Sequence, residues 1–166
     1  MKKISLILLL MTAIFVLPAA AGRPDGKEKV ITVSQLPQKS QEYLKANFEG
    51  KTVTTVHEIV KSNSKQYEVQ FSDGTKVEFG GKGGLKSVKG HGNAIPATSV
   101  PPQITSYVNS KYPGVTITNI NHENKAWNTR LSNGLKVKFD DKFKMVSTKQ
   151  ATEAKKGKVK KVKKEK

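Results

Sequence analysis

Three histidines, two adjacent aspartates, one glycine run and a large excess of lysine are the residues of this chain that could do chemistry. His57, His91 and His122 could bind a metal or carry a proton. A metal site needs a second histidine or a carboxylate at ligand spacing, and none of the three has one, so each reads as a structural or surface histidine. Asp140-Asp141 reads as a hairpin turn that attracts cations, short of the further oxygen ligands a calcium loop requires. Gly80-Gly81-Lys82-Gly83-Gly84 lacks the Lys-Ser/Thr ending and the following helix of a phosphate-binding loop, and reads as a flexible hairpin tip. No Gly-x-Ser-x-Gly elbow is present. With no cysteine, a thiol nucleophile, thiolate zinc, iron–sulfur clusters and disulfides are excluded. The residues therefore read as a non-enzyme that needs no cofactor and no metal.

Charge is the next signal. The 166 residues carry 30 Lys+Arg against 13 Asp+Glu, a formal charge of +17. Residues 1–21 read as a cleavable signal peptide: Lys2 and Lys3, an apolar run from Ile4 to Leu17, then Pro18 and the small Ala19 and Ala21. Fourteen helical residues rise about 21 Å, short of the roughly 30 Å hydrocarbon core, so the run is not read as a membrane span. No cysteine follows it to accept a lipid. The mature chain is expected from Gly22, in the periplasm or secreted. Residues 150–166 read as a disordered tail, too poor in apolar side chains to offset ordering entropy. Its lysines (Lys155, Lys156, Lys158, Lys160, Lys161, Lys163, Lys164 and Lys166) form a candidate electrostatic surface. Such a tail suits anionic headgroups or acidic glycans; nucleic acid is the least available polyanion to an exported protein.

Between signal and tail the chain repeats itself. ITVSQLP (31–37) matches IPATSVP (95–101) at an offset of 64, and YEVQFSDGTKVEF (67–79) matches WNTRLSNGLKVKF (127–139) at an offset of 60. The units are placed at 30–90 and 94–149. In each, a Pro-initiated helix carries an apolar stripe: Tyr43, Leu44 and Phe48, then Ile104, Tyr107, Val108 and Tyr112. A strand follows over about 52–60 and 115–122, its imperfect alternation pointing to a bulge or a bend. Asp73-Gly74 and Asn133-Gly134 then sit between alternating runs, the signature of a hairpin, expected as type I′ turns. Last strands are expected near 85–88 and 143–148. The fold class is α+β: two tandem repeats, each one helix packed on a four-stranded antiparallel sheet.

A helix opened by Leu/Val-Pro, an aromatic-x-Gly or aromatic-Pro-Gly stop, an Ile/Val strand and then Tyr/Trp-x-Val/Thr-x-Phe/Leu-Ser-Asp/Asn-Gly-x-Lys-Val-x-Phe resembles the PepSY-like domain. It resembles more closely the exported beta-lactamase-inhibitor-like branch common in Bacteroidetes. The resemblance covers roughly 30–148 and implies a periplasmic or secreted protein of tandem helix-plus-sheet units, whose inhibitor relatives grip a protein with a concave sheet surface. The matching motifs are turn and core positions. No enzyme-clamping residue of those relatives has a counterpart here, and the lysine tail lies outside the family pattern.

The remaining signal is the polar side of each hairpin. Glu68, Gln70, Lys76 and Glu78 alternate with core positions in the first unit; Asn128, Arg130, Lys136 and Lys138 do so in the second, shifting the charge of four equivalent places from −1 to +3. The second set is the candidate binding face. Two functions follow from these residues. One is a non-catalytic binding or inhibitory module acting on an acidic protein, peptide or glycan outside the cytoplasm. The other is an envelope-associated protein whose tail adheres to anionic headgroups, with the body as spacer or sensor. Mass spectrometry of the native protein should find a mature N-terminus at or next to Gly22; an intact Met1 would contradict the signal-peptide reading.

Overall fold

A computed structural model describes residues 27–62 and 64–150. The expected signal peptide and the lysines of the tail lie outside the described residues. The elements run in chain order β1 (Lys27–Val30), α1 (Gln38–Phe48), β2 (Val53–Lys61), β3 (Ser64–Phe71), β4 (Lys76–Gly80), β5 (Leu85–Lys89), α2 (Pro102–Lys111), β6 (Ile117–Glu123), β7 (Ala126–Leu131), β8 (Leu135–Asp140) and β9 (Met145–Gln150). All nine strands form one sheet in sequence order, every neighbouring pair antiparallel.

The class is α+β and antiparallel as expected, but in place of a four-stranded sheet in each unit the strands make one continuous sheet. Strands β5 and β6 pair over Ser87↔Asn121, Val88↔Ile120 and Lys89↔Asn119, which fuses the halves. Sequence periodicity also misses β1, which lies against β2 from Lys27↔Val60 to Val30↔His57.

Both helices pack on the same core as the sheet. The stripes read from the sequence supply Leu44 and Phe48 from α1 and Ile104 and Val108 from α2 to a cluster with Val69, Val77, Phe79, Val88, Ile120, Val137 and Phe139. Tyr43 meets Phe79 edge-on at 5.6 Å between ring centres, and Tyr107 meets Phe139 likewise at 5.2 Å. Phe79 and Phe139 have no exposed surface, and burying each stabilises the fold by about 2–3 kcal/mol. The helices start alike. The Pro37 carbonyl accepts from the Ser40 and Gln41 amides, and the Pro101 carbonyl from those of Ile104 and Thr105.

The irregular strands are bulged at equivalent places. Register shifts lie between Val53 and Thr55 and between Ile117 and Asn119. At each shift the extra threonine hydroxyl donates to the opposite carbonyl: Thr54 to Gln70 (3.0 Å) and Thr118 to Arg130 (3.1 Å). The side chain thus adds a hydrogen bond across the strand pair where the register shifts.

The Asp-Gly and Asn-Gly hairpins are correctly placed, but their turn type differs from expectation. A type I′ turn needs two residues with positive φ. Here only Gly74 and Gly134 have it, both at +83°, after a turn closed from their amides to the carbonyls of Phe71 and Leu131. Asp73 and Asn133 instead accept, through side-chain oxygens, from the amides of Thr75 and Leu135. That arrangement is a three-residue loop ending in a glycine bulge. The two-residue turn with positive φ at both positions occurs elsewhere, at Asn124-Lys125 between β6 and β7.

The 80–84 glycine run, expected as a flexible tip, is packed against α1. Gly83 is buried at φ +79°, and its carbonyl accepts from the Ser40 hydroxyl. A Cβ there would meet Pro37 Cβ at 2.9 Å and Ser40 Oγ at 3.0 Å, whereas nothing lies within 4 Å of one at Gly74. Gly74→Ala should therefore cost only the backbone strain, about 1 kcal/mol, and Gly83→Ala about 2 kcal/mol or more. Chemical denaturation of both variants checks this, and equal losses would contradict the packing at α1.

Candidate functional site

Period-2 alternation leaves the sheet with one face under the helices and one face open. On the open face the register aligns two polar rows. One runs His57, Glu68, Glu78, Ser87, Asn121, Asn128, Lys138 and Ser147; the other runs Gln70, Lys76, Lys89, Asn119, Arg130, Lys136 and Lys149. The four residues of the candidate face come together within these rows. Asn128 lies directly opposite Lys138 and Arg130 opposite Lys136, all four exposed.

The two halves of this face differ in electrostatics. In the first unit each carboxylate has a cation: Glu68 with Lys76 (2.8 Å), and Glu78 with Lys89. His57 Nδ1 lies 2.8 Å from the Glu28 carboxylate on β1. Burial pushes the Glu78 carboxyl up, but the hydrogen bond from Lys89 and the charges of Lys89 and Lys76 outweigh it. The net effect is a pKa below the usual carboxylate value. In the second unit, among the described residues, no carboxylate pairs with Arg130, Lys136 or Lys138. Two unit charges about 5 Å apart in water repel by roughly 1 kcal/mol, so these cations are held in place by the sheet rather than by one another.

Where the halves meet, a shallow cavity of about 360 Å³ is lined by Lys89, Asn119, Asn121, Asn128, Arg130 and Lys136, with Ile120 and Thr129 beneath. Asn121 Oδ1 is buried there without a hydrogen-bond partner. Chemically the cavity offers one guanidinium fork, two ammonium groups and three amides, a set suited to carboxylates flanked by further hydrogen-bonding groups. Lys89, Asn119 and Asn121 were missed from the sequence. The alternation of Asn119, Asn121 and the apolar Ile120 marks them as face residues, but only the β5–β6 pairing places them beside Arg130.

The helix side carries a second concavity. A groove of about 560 Å³ lies between α1 (Lys39, Glu42, Tyr43, Ala46, Asn47), the 83–85 turn, and His122 with Trp127. The His122 ring stacks on Trp127 at 4.3 Å between centres, Trp127 stacks on Phe143 at 6.2 Å, and His122 Nε2 lies 3.0 Å from Asp141. The Tyr43 hydroxyl donates to the Ser99 carbonyl (2.8 Å), and burial pushes its pKa up. His91 is exposed in the connection between the units, at φ +49°. Among the described residues no three His, Asp or Glu side chains come close enough together to hold a metal.

Residues 24–70 and 65–147 match the family described as "Putative beta-lactamase-inhibitor-like, PepSY-like". A Bacteroides thetaiotaomicron structure described as a "putative calcium-regulated periplasmic protein" is 33% identical over 74% of this chain and 96% of its own, with a TM-score of 0.70. A Bacteroides vulgatus structure described as a "putative periplasmic protein" is 32% identical over 74% and 97%, also at 0.70. Another from that organism, described as a "putative periplasmic protein of unknown function", is 25% identical over 74% and 99%, at 0.67. No curated protein matches the chain.

Because the folded Glu78 pKa lies below its unfolded value, this carboxylate stabilises the fold above the ordinary range near ~4.3, and the effect is lost as pH falls through the folded value. Glu78→Gln should therefore flatten the acid limb of the melting temperature between about pH 2 and 6. Parallel limbs for variant and parent would contradict the pairing with Lys89.

Proposed function

Since the chain belongs to the beta-lactamase-inhibitor-like, PepSY-like family, we propose that it is an exported, non-catalytic module that binds or inhibits an acidic partner through the open face of its sheet. The observation that carries this reading is the electrostatic split of that face. Its first half holds internal ion pairs, while its second presents Arg130, Lys136 and Lys138 without counter-charges among the described residues. Exposed like charges do little for stability, and a preformed array of them attracts and orients an anionic ligand. The partner's groups would be carboxylates on a protein, a peptide or a glycan, seated where Lys89, Asn119 and Asn121 add hydrogen bonds at the junction. The periplasmic descriptions of the solved relatives and the signal-like residues 1–21 support an encounter outside the cytoplasm.

The lysines of 155–166 support a second reading, adhesion of the tail to anionic lipid headgroups with the body as spacer or sensor. The two readings separate cleanly by mutation. Arg130→Glu with Lys136→Glu should weaken capture of the acidic partner from envelope extract at least tenfold, with a melting temperature close to the parent's and binding that falls as salt rises. Unchanged capture by the double variant, with complete loss on deleting 151–166, would transfer the function to the tail.

A further inference from the structure

Strand β9 is the repeat equivalent of β5, sixty positions on: Ser147 stands for Ser87, Thr148 for Val88 and Lys149 for Lys89. The two strands meet different neighbours. β5 is paired on both sides, with β4 and β6, whereas among the described residues β9 pairs with β8 alone and ends the sheet. At the opposite end β1 lies on β2 as β5 lies on β6: Val30 faces His57 where Ser87 faces Asn121, His57 and Asn121 being 64 positions apart. The first unit's outer edge is thus capped, and among the described residues the second unit's is not. Burial follows the pairing. Val88 is fully buried and its counterpart Thr148 is exposed, while Met145 and Val146 beside it are 40% and 57% exposed.

We propose that the free edge of β9 receives an extended acidic segment of a partner protein as a tenth strand. This rests on the acidic-partner reading and narrows it to a protein. An unpaired strand edge presents a row of amide donors and carbonyl acceptors that an extended chain satisfies along its length. Charge selects among the chains that could do so. Lys149 lies on the edge strand with Lys136 directly behind it, and Lys138 stands behind Ser147. A second copy pairing through its own β9 would bring lysines together, and β1 of a second copy carries Lys27 and Lys29 against the single Glu28. The β5–β6 pairing supplies the side-chain pattern: polar opposite Ser87, aliphatic opposite Val88, polar opposite Lys89. Transferred to β9, with a free lysine at 149, it becomes acidic, aliphatic, acidic. The edge gives affinity, and the alternation with the cationic row gives selectivity.

The test uses the mature protein and a synthetic peptide, Glu-Val-Glu-Val-Asp-Val-Glu, with fluorescence anisotropy for affinity and hydrogen exchange for location. Binding should slow exchange within 145–150, Lys149→Glu should weaken it about fivefold or more, and methylating the interior peptide amides should abolish it while keeping every carboxylate. Three outcomes overturn the proposal. In the first, the methylated peptide binds as well as the parent, with loss on Arg130→Glu/Lys136→Glu and no protection at 145–150; the acidic-partner face then stands without the edge. In the second, the peptide fails to bind while a polyuronate binds in a salt-dependent way, which leaves a glycan on the face. In the third, protection at 145–150 appears with rising protein concentration alone, which assigns the edge to a second copy.

Discussion

Three residue pairs join strands β5 and β6, and the architecture of the open face depends on them. Val88 and Ile120, both essentially fully buried, sit at the centre of this short ladder and draw the two units into one core. On the other side of the same backbone, the ladder sets Lys89 opposite Asn119 and Ser87 opposite Asn121. Without the pairing, the first unit's ion-paired face and the second unit's cationic face would be independent surfaces. With it they form one field with an amide-lined seam. The Tyr43 hydroxyl reinforces the joint from the helix side, because it crosses from α1 to the Ser99 carbonyl at the entry to the second unit.

The duplication preserved backbone devices more faithfully than side-chain chemistry. The threonine-filled bulges, the three-residue loops with their Asp or Asn oxygen on the following amide, and the proline-started helices all recur at their repeat offsets. These devices answer backbone hydrogen-bonding needs that are the same in both copies. One position shows the limit of that fidelity. Gly83 takes a positive φ without strain, and its equivalent Phe143 takes φ +60° with a full side chain whose ring stacks on Trp127. The strained backbone there coexists with the aromatic stack that reaches His122 and Asp141.

Much of this was legible from residues alone, for identifiable reasons. Alternation over Trp127–Leu131 and Leu135–Phe139 determines which side chains share a face, so Asn128, Arg130, Lys136 and Lys138 group together on sequence spacing alone. Alternation says nothing about which strand lies beside which, and that is why Lys89, Asn119 and Asn121 were not joined to them. Strand β1 was illegible because Lys27-Glu28-Lys29-Val30 is exposed throughout and has no buried side to pattern. The turn type escaped because Asp-Gly suits both a two-residue loop and a three-residue loop with a glycine bulge, which differ by where the strand stops. The glycine run looked loose because its restraint comes from Pro37 and Ser40, more than forty residues earlier.

The neutralised and the cationic halves of the open face lie side by side on one sheet, so the face has an electric dipole in its own plane. A dipole produces torque as well as attraction. An extended anion approaching the face would be turned toward β7, β8 and β9, because its charge is drawn to that half while the ion-paired half exerts little pull. Such orientation would act over roughly the 8–10 Å that physiological salt allows, ahead of contact. A polarity of approach, beyond mere attraction, would then follow from the difference in charge between the two halves.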